Sequence, residues 1–487
     1  MYLGIDLGTS SVKVVLLNDK EEIIGQRSET LVVSQPKPLW SEQDPDHWWQ
    51  ATCEAVRVLK KTYSKELSEV KAIGLSGQQH GATLLDSNDE VLRPAMLWND
   101  GRAMAQCYQL AALVPHYANI IGSRLMAGFT SPKVAWVEEH EPDIFRRLSK
   151  VLLPKDFLRL KMTGEYASDL SDASGTSWVD VGARQWSEEM LEASNLTTQH
   201  MPKLFEGSEV TGHVDKSVAQ EWGIPLNTPV AGGGGDNPAG AMSVNVIKPG
   251  SAFLSIGTSG VYFVASDKYQ ANPEGGIHSF CHCIPNHWHH MSVHLSAASC
   301  LSWLASTLNI TNTEELLIEA EKFADSPSPV IFLPYLSGER TPHANPYAQG
   351  VFFGMTHTTT RAHLTRAVLE GVAFAFADGQ DSMLTAGVEI NDVSVVGGGA
   401  KSLYWGKILA AALKRPLIYR LNREVGSALG AARLAYLSVN NVNPDHAFEM
   451  PPVETVIEPD PDLVQQYAKK RAVFQQLYRK LEDMFVV

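Results

Sequence analysis

Leu3, Ile5 and Leu7 alternate with Gly4 and Asp6, and after Gly8-Thr9-Ser10 the alternation resumes at Val12, Val14 and Leu16. A period of two marks a half-buried strand. The opening therefore predicts strand, tight turn, strand, with a further turn at Asn18-Asp19-Lys20 and a third strand beyond it. Residues 251–264, SAFLSIGTSGVYFV, repeat the pattern: an apolar strand enters Gly257-Thr258-Ser259-Gly260 and leaves as another strand. The two turns lie about half a chain apart, which predicts two similar halves.

Elsewhere the pattern changes. VKAIGLSG (70–77) and VSVV (393–396) are short apolar runs ending at glycines and read as strands. DPDHWW opens a helix, with Asp44 as cap, Pro45 at the first position and Asp46 in the first turn. Trp48 and Trp49 cannot both face the core, so one is expected to edge a cleft. REVGSALGAARLA (423–435) is a small-residue helix suited to close packing. An apolar stripe at helical spacing over about 460–484 predicts a last surface helix, docked on the second half and without a ligand role. HSFCHCIPNHWHHMSVHLS (278–296) alternates like a hairpin around Pro285-Asn286, which sends alternate side chains to opposite faces. Its six histidines and two cysteines invite a metal reading, but Cys-x-Cys is not the usual zinc spacing.

Composition narrows the class. The chain has 487 residues, enough for two or more domains, and 44% are hydrophobic, as in globular proteins. A net charge of −14 argues against nucleic acid and against anionic membranes as partners. Five cysteines in so long a chain suit a reducing cytosol better than a disulfide framework. The first residues lack a basic segment and place Asp6 inside the first apolar stretch, which argues against a signal peptide; no uncharged apolar run approaches transmembrane length. A cytoplasmic protein is expected. A homodimer is compatible with the sequence, which does not determine oligomeric state.

Candidate chemistry gathers at the glycines. A Gly-Thr-Ser tip offers backbone N–H groups and two hydroxyls that can form an anion-binding nest, although the same residues are common in ordinary hairpins. Two such nests facing across a cleft could hold a polyphosphate from both sides. Asp6 sits within an apolar strand, where a carboxylate is costly unless paired or metal-bound. Beside a phosphate nest it stands where Mg²⁺ or its water shell would sit; the alternative is an acid bonded to local N–H groups. Lys13 either reaches a phosphate or is an exposed strand lysine. VAGGGGDNPAGA (230–241) places four glycines before one acid, Asp236. Glycine is entropically costly to order, so the run implies close approach of a ligand to the backbone. Asp236-Asn237-Pro238 also reads as a helix start with Pro238 in the first turn. Gly397, Gly398 and Gly399 would let a flat base or a phosphate approach the chain. No GxxxxGK[ST] is present, and GGGGDNPAG does not match GxGxxG, so neither a P-loop nor a dinucleotide fold is favoured.

MYLGIDLGTSSVK, SGQQHG (76–81), LWNDGR (97–102), GFTSPKVAWV (128–137), GGGGDN, LSIGTSG and YLSGERTPH (335–343) together resemble the FGGY carbohydrate kinases, from residue 2 to about 440. PLWSEQDPDHWW (38–49), LLPKDFLRLKMTG (152–164) and SDASGTSWVDV (171–181) look most like the branch that takes D-xylulose. The resemblance implies an α/β fold of the duplicated actin/hexokinase (ribonuclease H-like) type with an interdomain cleft. Residues 1–243 would form a sugar-binding domain and 244–487 an ATP-binding domain. It implies ATP-dependent phosphorylation of D-xylulose to the 5-phosphate, with Mg·ATP as donor and Asp236 as the base that takes the hydroxyl proton. Asp6 would help position magnesium, directly or through water. Gln79 and His80, with Asn237, would touch the sugar; Asp100 either joins them or pairs with Arg102. Gly8, Thr9, Ser10, Lys13, Gly257, Thr258, Gly398 and Gly399 would line ATP. Gln79 stands where many kinases of that branch carry Met, and Pro238 where a small residue is common. The alternatives are a kinase for another ketose or polyol (ribulose, fuculose, gluconate, glycerol) and a non-catalytic actin-like ATPase or sugar sensor. Glu339-Arg340 is as readily structural as functional.

Overall fold

A computed structural model describes residues 1–322, 326–421 and 426–485. Its first half is built on a twisted sheet of strands β1 (Tyr2–Leu7), β2 (Ser11–Leu17), β3 (Ile23–Thr30), β4 (Ala72–Gly77), β5 (Val210–His213), β6 (Pro229–Ala231) and β7 (Gly234–Gly235). The order is β5-β6-β4-β1-β2-β3, with β7 also on β4. The second half has β8 (Ser251–Ile256), β9 (Gly260–Ser266), β10 (His278–Cys281), β11 (Trp288–His294), β12 (Asp392–Val396), β13 (Leu417–Arg420) and β14 (Val453–Ile457), in the order β10-β11-β9-β8-β12-β13-β14.

The duplication extends well beyond the turns. Read from β3, successive pairings are antiparallel, antiparallel, parallel, parallel, antiparallel. Read from β11, the sequence of pairings is the same. Both Gly-Thr-Ser segments are hairpin tips between the two central antiparallel strands, closed by Gly8 N–H to Ser11 O at 3.0 Å and Gly257 N–H to Ser259 O at 3.1 Å.

Each half then hands a helix to the other. Helix α1 (Asp236–Ser243) follows β7, yet Ala241 packs with Phe253, Phe263 and Val396 of the second sheet. Helix α2 (Ser427–Val439) follows β13, yet it lies on β1 and β4 of the first sheet. Its small residues permit that approach. A Cβ on Gly4 would stand 2.0 Å from Ala428 O, and one on Gly74 would stand 1.8 Å from Ala431 O. The close-packing expectation for 423–435 therefore holds for its described part; residues 423–425 lie outside the described residues. The boundary drawn after residue 243 separates the sheets but not the helices. Pro238 lies in the first turn of α1 as expected, while the helix begins two residues earlier, so the Asp236 side chain projects from its first position.

Two other expectations meet the structure differently. Helix α3 (Pro461–Leu481), capped by Asp460, docks on the second core through Tyr467, Phe474 and Tyr478. Asp44 caps helix α4 (Pro45–Leu67) by accepting the Asp46 amide, as read. Trp48 is fully buried, but Trp49 does not edge the cleft: it packs on Trp222, ring centres 5.8 Å apart, at the outside of the first half. No helix among the described residues is long and apolar enough to cross a membrane.

Candidate functional site

The glycine stem before Asp236 is threaded between neighbours that leave no room for side chains. Gly233 has φ +81°, and a Cβ there would stand 2.1 Å from Leu75 O. A Cβ on Gly235 would stand 2.6 Å from Gln79 Nε2. The stem is also clamped from behind. Arg159 donates to Ala231 O at 2.8 Å and to Gly232 O at 2.6 Å, and Gly235 N–H donates to Ser171 Oγ at 3.2 Å. Ser171 Oγ donates in turn to Asp169, which pairs with Lys155 at 2.8 Å; Lys155 also meets Asp156 and Asp172. These charged side chains are fully buried, so their mutual pairing is what makes the site tolerable. The stem thus delivers one carboxylate from a rigid mount.

Asp236 opens on a cavity of about 280 Å³ that Gln79, His80 and Asn237 also line. Asn237 donates both its backbone N–H, at 2.8 Å, and its side-chain amide, at 3.1 Å, to Asp236 Oδ1. The second carboxylate oxygen has no protein partner among the described residues. Burial, followed by the nearby negative charge of Asp6, pushes Asp236 up to about 7, against the pull of the Asn237 hydrogen bonds. A carboxylate tuned to neutrality and open to a cavity can accept a proton from a hydroxyl.

His80 adopts the left-handed conformation, φ +68°, which a non-glycine residue takes only under constraint. Lys133 supplies one constraint: its fully buried ammonium donates to the carbonyls of His80, Met96 and Leu97 at 2.8, 3.0 and 2.8 Å. His80 Nδ1–H donates to Gly175 O at 2.6 Å, and the ring stacks on Phe129 with centres 4.5 Å apart. Burial drives its pKa well below the usual value, so the imidazole is neutral and Nε2 carries a lone pair.

Asp6 projects from β1 in register with Lys13 on β2 and Ser76 on β4. Asp6 Oδ1 and Ser76 Oγ are buried, and among the described residues neither closes a well-formed hydrogen bond. Burial pushes Asp6 up to about 6, against the opposing influence of Ser76 and Lys13. In the first turn, Thr9 Oγ donates to Gln78 Oε1 at 2.9 Å and accepts from Trp98 Nε1 at 3.0 Å; Trp98 lines the cavity. In the second turn, Ser259 lines the cavity, and Thr258 O accepts from Ala297 N–H at 2.9 Å and Ser299 Oγ at 2.8 Å. Those contacts lead to a second cavity, about 630 Å³, lined by Gly398 and Gly399 together with Ala298, Ser302 and Tyr404. The strand, glycine loop and helix read at 393–402 are present, with Gly397 at φ +88°.

Asp100 is a correction. Its carboxylate accepts from Arg102 Nε at 2.9 Å and Nη2 at 2.6 Å and from Ser41 N–H at 2.8 Å. It is 1% exposed and does not line the cavity, so its acceptors are consumed and none is left for a ligand. The pairing with Arg102 is the alternative that the structure contains. Glu339 and Arg340 also part company. Glu339 accepts from the amides of Leu295 and Arg340, whereas the Arg340 guanidinium lines the cavity. Phe129 and His278 join it there, and neither stood out in the sequence as a site residue. Within the histidine-rich hairpin, β10 and β11 pair antiparallel, and among the described residues no group of three or more His, Cys, Asp or Glu side chains is arranged to hold a metal ion.

Comparison with known proteins accords with this geometry. Residues 1–243 match the N-terminal domain of the FGGY family of carbohydrate kinases, and residues 252–439 match its C-terminal domain. Over 485 residues the chain is 51% identical to the xylulose kinase of Escherichia coli (strain K12), covering 99% of each. It is 50% identical over 485 residues to the xylulose kinase of Klebsiella pneumoniae, covering 99% of this chain and 100% of that one. Among solved structures, the "xyloylose kinase" of Brucella ovis matches with a TM-score of 0.96 at 46% identity, and the xylulose kinase of Rhodospirillum rubrum with 0.92 at 28%, each covering 99% of both chains.

Proposed function

The chain belongs to the FGGY family of carbohydrate kinases, and from that premise we propose that it transfers the γ-phosphoryl group of ATP to the terminal hydroxyl of D-xylulose, with Asp236 as the base. The observation that carries the reading is the open oxygen of Asp236: a half-buried carboxylate raised to about 7, rigidly mounted, at the wall of a cavity that Gln79, His80 and Asn237 also line. Full-length similarity to xylulose kinases at 51% and 50% identity supports D-xylulose as the acceptor.

Phosphoryl transfer needs positioning, charge neutralisation and a destination for one proton. As the sugar oxygen bonds to phosphorus and ADP departs, that oxygen's proton passes to Asp236. Gln79, His80 and Asn237 hold the sugar through its hydroxyls, His80 accepting through Nε2. Gly8, Thr9, Ser10, Lys13, Gly257 and Thr258 flank the phosphates, and Gly398 and Gly399 face the base in the larger cavity. The surroundings of Asp6 suit a hard divalent cation, since Asp6 Oδ1 and Ser76 Oγ are buried oxygens that close no well-formed hydrogen bond among the described residues. Asp6 would hold Mg²⁺, directly or through the ion's water shell. The ion when bound supplies neutralisation of phosphate charge.

The test is ADP release from Mg·ATP with D-xylulose, L-xylulose, D- and L-ribulose, glycerol, gluconate and a no-sugar blank. Strong dependence on D-xylulose is expected. Preference for another acceptor would move the substrate and keep the chemistry. Equal turnover in every well, blank included, would refute the kinase reading.

A further inference from the structure

Of the six histidines in residues 278–296, His278 is the one that lines the cavity of Asp236. It starts β10, in the second half of the chain, but its ring is anchored by the first half. Ser123 Oγ lies 3.1 Å from Arg124 O and 2.8 Å from His278 Nδ1. With the hydroxyl donating to the carbonyl, Ser123 Oγ accepts from His278 Nδ1–H and Nε2 carries the lone pair. His80 is arranged in parallel fashion, its Nδ1–H tied to Gly175 O. Both imidazoles pack on Phe129, with ring centres 4.5 and 5.9 Å from it.

We propose that His278 is a second sugar-reading residue, whose Nε2 accepts a hydrogen bond from a hydroxyl of the acceptor other than the one phosphorylated. The assignment rests on the carbohydrate-kinase reading of this cavity and extends it across the chain, because the sugar site then needs both halves. His278 is 4% exposed and lines the cavity. An acceptor in such a wall is left unpaired by any ligand without a hydroxyl at that point, and this is how buried polar groups generate selectivity. Burial and the positive charge of Arg340 push its pKa down to about 3, which makes it a poor base at neutral pH and keeps it an acceptor. The mount is firm: Ser279 N–H donates to Gly122 O at 2.8 Å, Tyr269 OH to Asn119 O at 2.6 Å, and Arg124 to Glu274 O at 2.7 Å. These bonds tie the edge of the second sheet to the first half beside the cavity.

The test compares the parent enzyme, His278→Phe, His278→Gln and Ser123→Ala. Steady-state kinetics use D-xylulose and its 1-, 3- and 4-deoxy analogues at saturating Mg·ATP. His278→Phe should raise KM for D-xylulose about tenfold, change kcat less than about threefold and leave KM for ATP unchanged. One analogue, lacking the hydroxyl that Nε2 accepts, should be discriminated against by the parent and no longer by His278→Phe. His278→Gln should restore much of the affinity, and Ser123→Ala should fall between. An unchanged KM in His278→Phe, or an equal loss against D-xylulose and all three analogues, overturns the proposal. Should His278→Phe fail to fold by circular dichroism, Ser123→Ala decides alone: lost discrimination against one analogue is expected, and retained discrimination overturns it. If the parent phosphorylates another ketose but not D-xylulose, the substrate assignment fails separately, and His278 is judged on deoxy forms of that ketose.

Discussion

The two Gly-Thr-Ser hairpins share a turn sequence and a pattern of strand pairing, and they differ in what their strands and side chains bring. Two residues before the first turn stands Asp6, opposite Lys13; two residues before the second stands Ser255, opposite Val261. The first turn is bonded through the Thr9 hydroxyl to Gln78 and Trp98, on the side of the Asp236 cavity. The second is bonded through the Thr258 carbonyl to Ala297 and Ser299, on the side of the larger cavity. Duplication supplied one backbone device twice. The acid and the hydrogen-bond partners are not duplicated, and on the proposed reading they would give the first copy to the reacting end of the cleft and the second to the nucleotide end.

If the acids carry the chemistry and the turns only position it, removing an acid should do most damage. Asp236→Asn should lower kcat by about 10²–10⁴-fold while ATP affinity, read by calorimetry, stays near the parent value. In the parent, kcat/KM should fall tenfold per pH unit below about pH 7, because the base must be ionised. Intact turnover in the variant would break the comparison outright.

Asp6→Asn should cost roughly 10–100-fold in kcat, as expected for lost positioning of charge near the phosphates. It should also move the acid limb of the parent profile to lower pH, because the negative charge of Asp6 helps raise Asp236. An unmoved limb would mean that the two carboxylates do not sense each other.

Stability gives a third test. The folded chain keeps Asp236 protonated up to about pH 7, whereas the unfolded chain releases that proton near the ordinary carboxyl value of 3.8. The group's stabilising contribution is therefore complete below about pH 4 and is lost as pH rises through about 7. Asp236→Asn should raise Tm by a few degrees at pH 8, roughly, and change it little at pH 4. A shift of equal size at both pH values would contradict a raised carboxyl.

The turns themselves should separate by substrate. Thr9→Val leaves Gln78 Oε1 and Trp98 Nε1 without the partner that Thr9 gave them and should raise KM for the ketose on the order of tenfold, with a smaller rise for ATP. Thr258→Val removes a hydroxyl at the nucleotide end and should raise KM for ATP by roughly threefold, sparing the ketose. Smallest of all, Gln79→Met should alter KM for D-xylulose by about twofold to threefold, since it deletes one amide at the cavity wall. Exchange of the two threonine phenotypes would sink the assignment of the hairpins.

Much of the candidate site is legible in the sequence. Asp6, Gln79, His80 and Asp236 sit in short local patterns, an acid in an apolar strand or a polar group among glycines, and those patterns survive folding because neighbours along the chain create them. Lys155 and Arg159 left a weaker trace, two cations within an apolar stretch that ends in a glycine, and their role in holding the Asp236 stem was missed. Asp100 misled for the opposite reason. Its position in LWNDGR marks importance but not purpose, and Arg102, two residues on, takes its carboxylate in a buried pair.

By itself, the sequence determined the paired hairpins, the glycine stem and its acid, the cap at Asp44 and the docked last helix. Each depends on steric and hydrogen-bonding preferences acting over a few residues. Tertiary structure alone decided that α1 and α2 change sides and that Trp49 faces outward. It also brought Phe129, His278 and Arg340, from three separate segments, to one wall with His80. Nothing local marks such convergence. It follows from which apolar faces bury each other when two similar sheets close on a shared pair of helices, and that choice is made by packing over the whole chain.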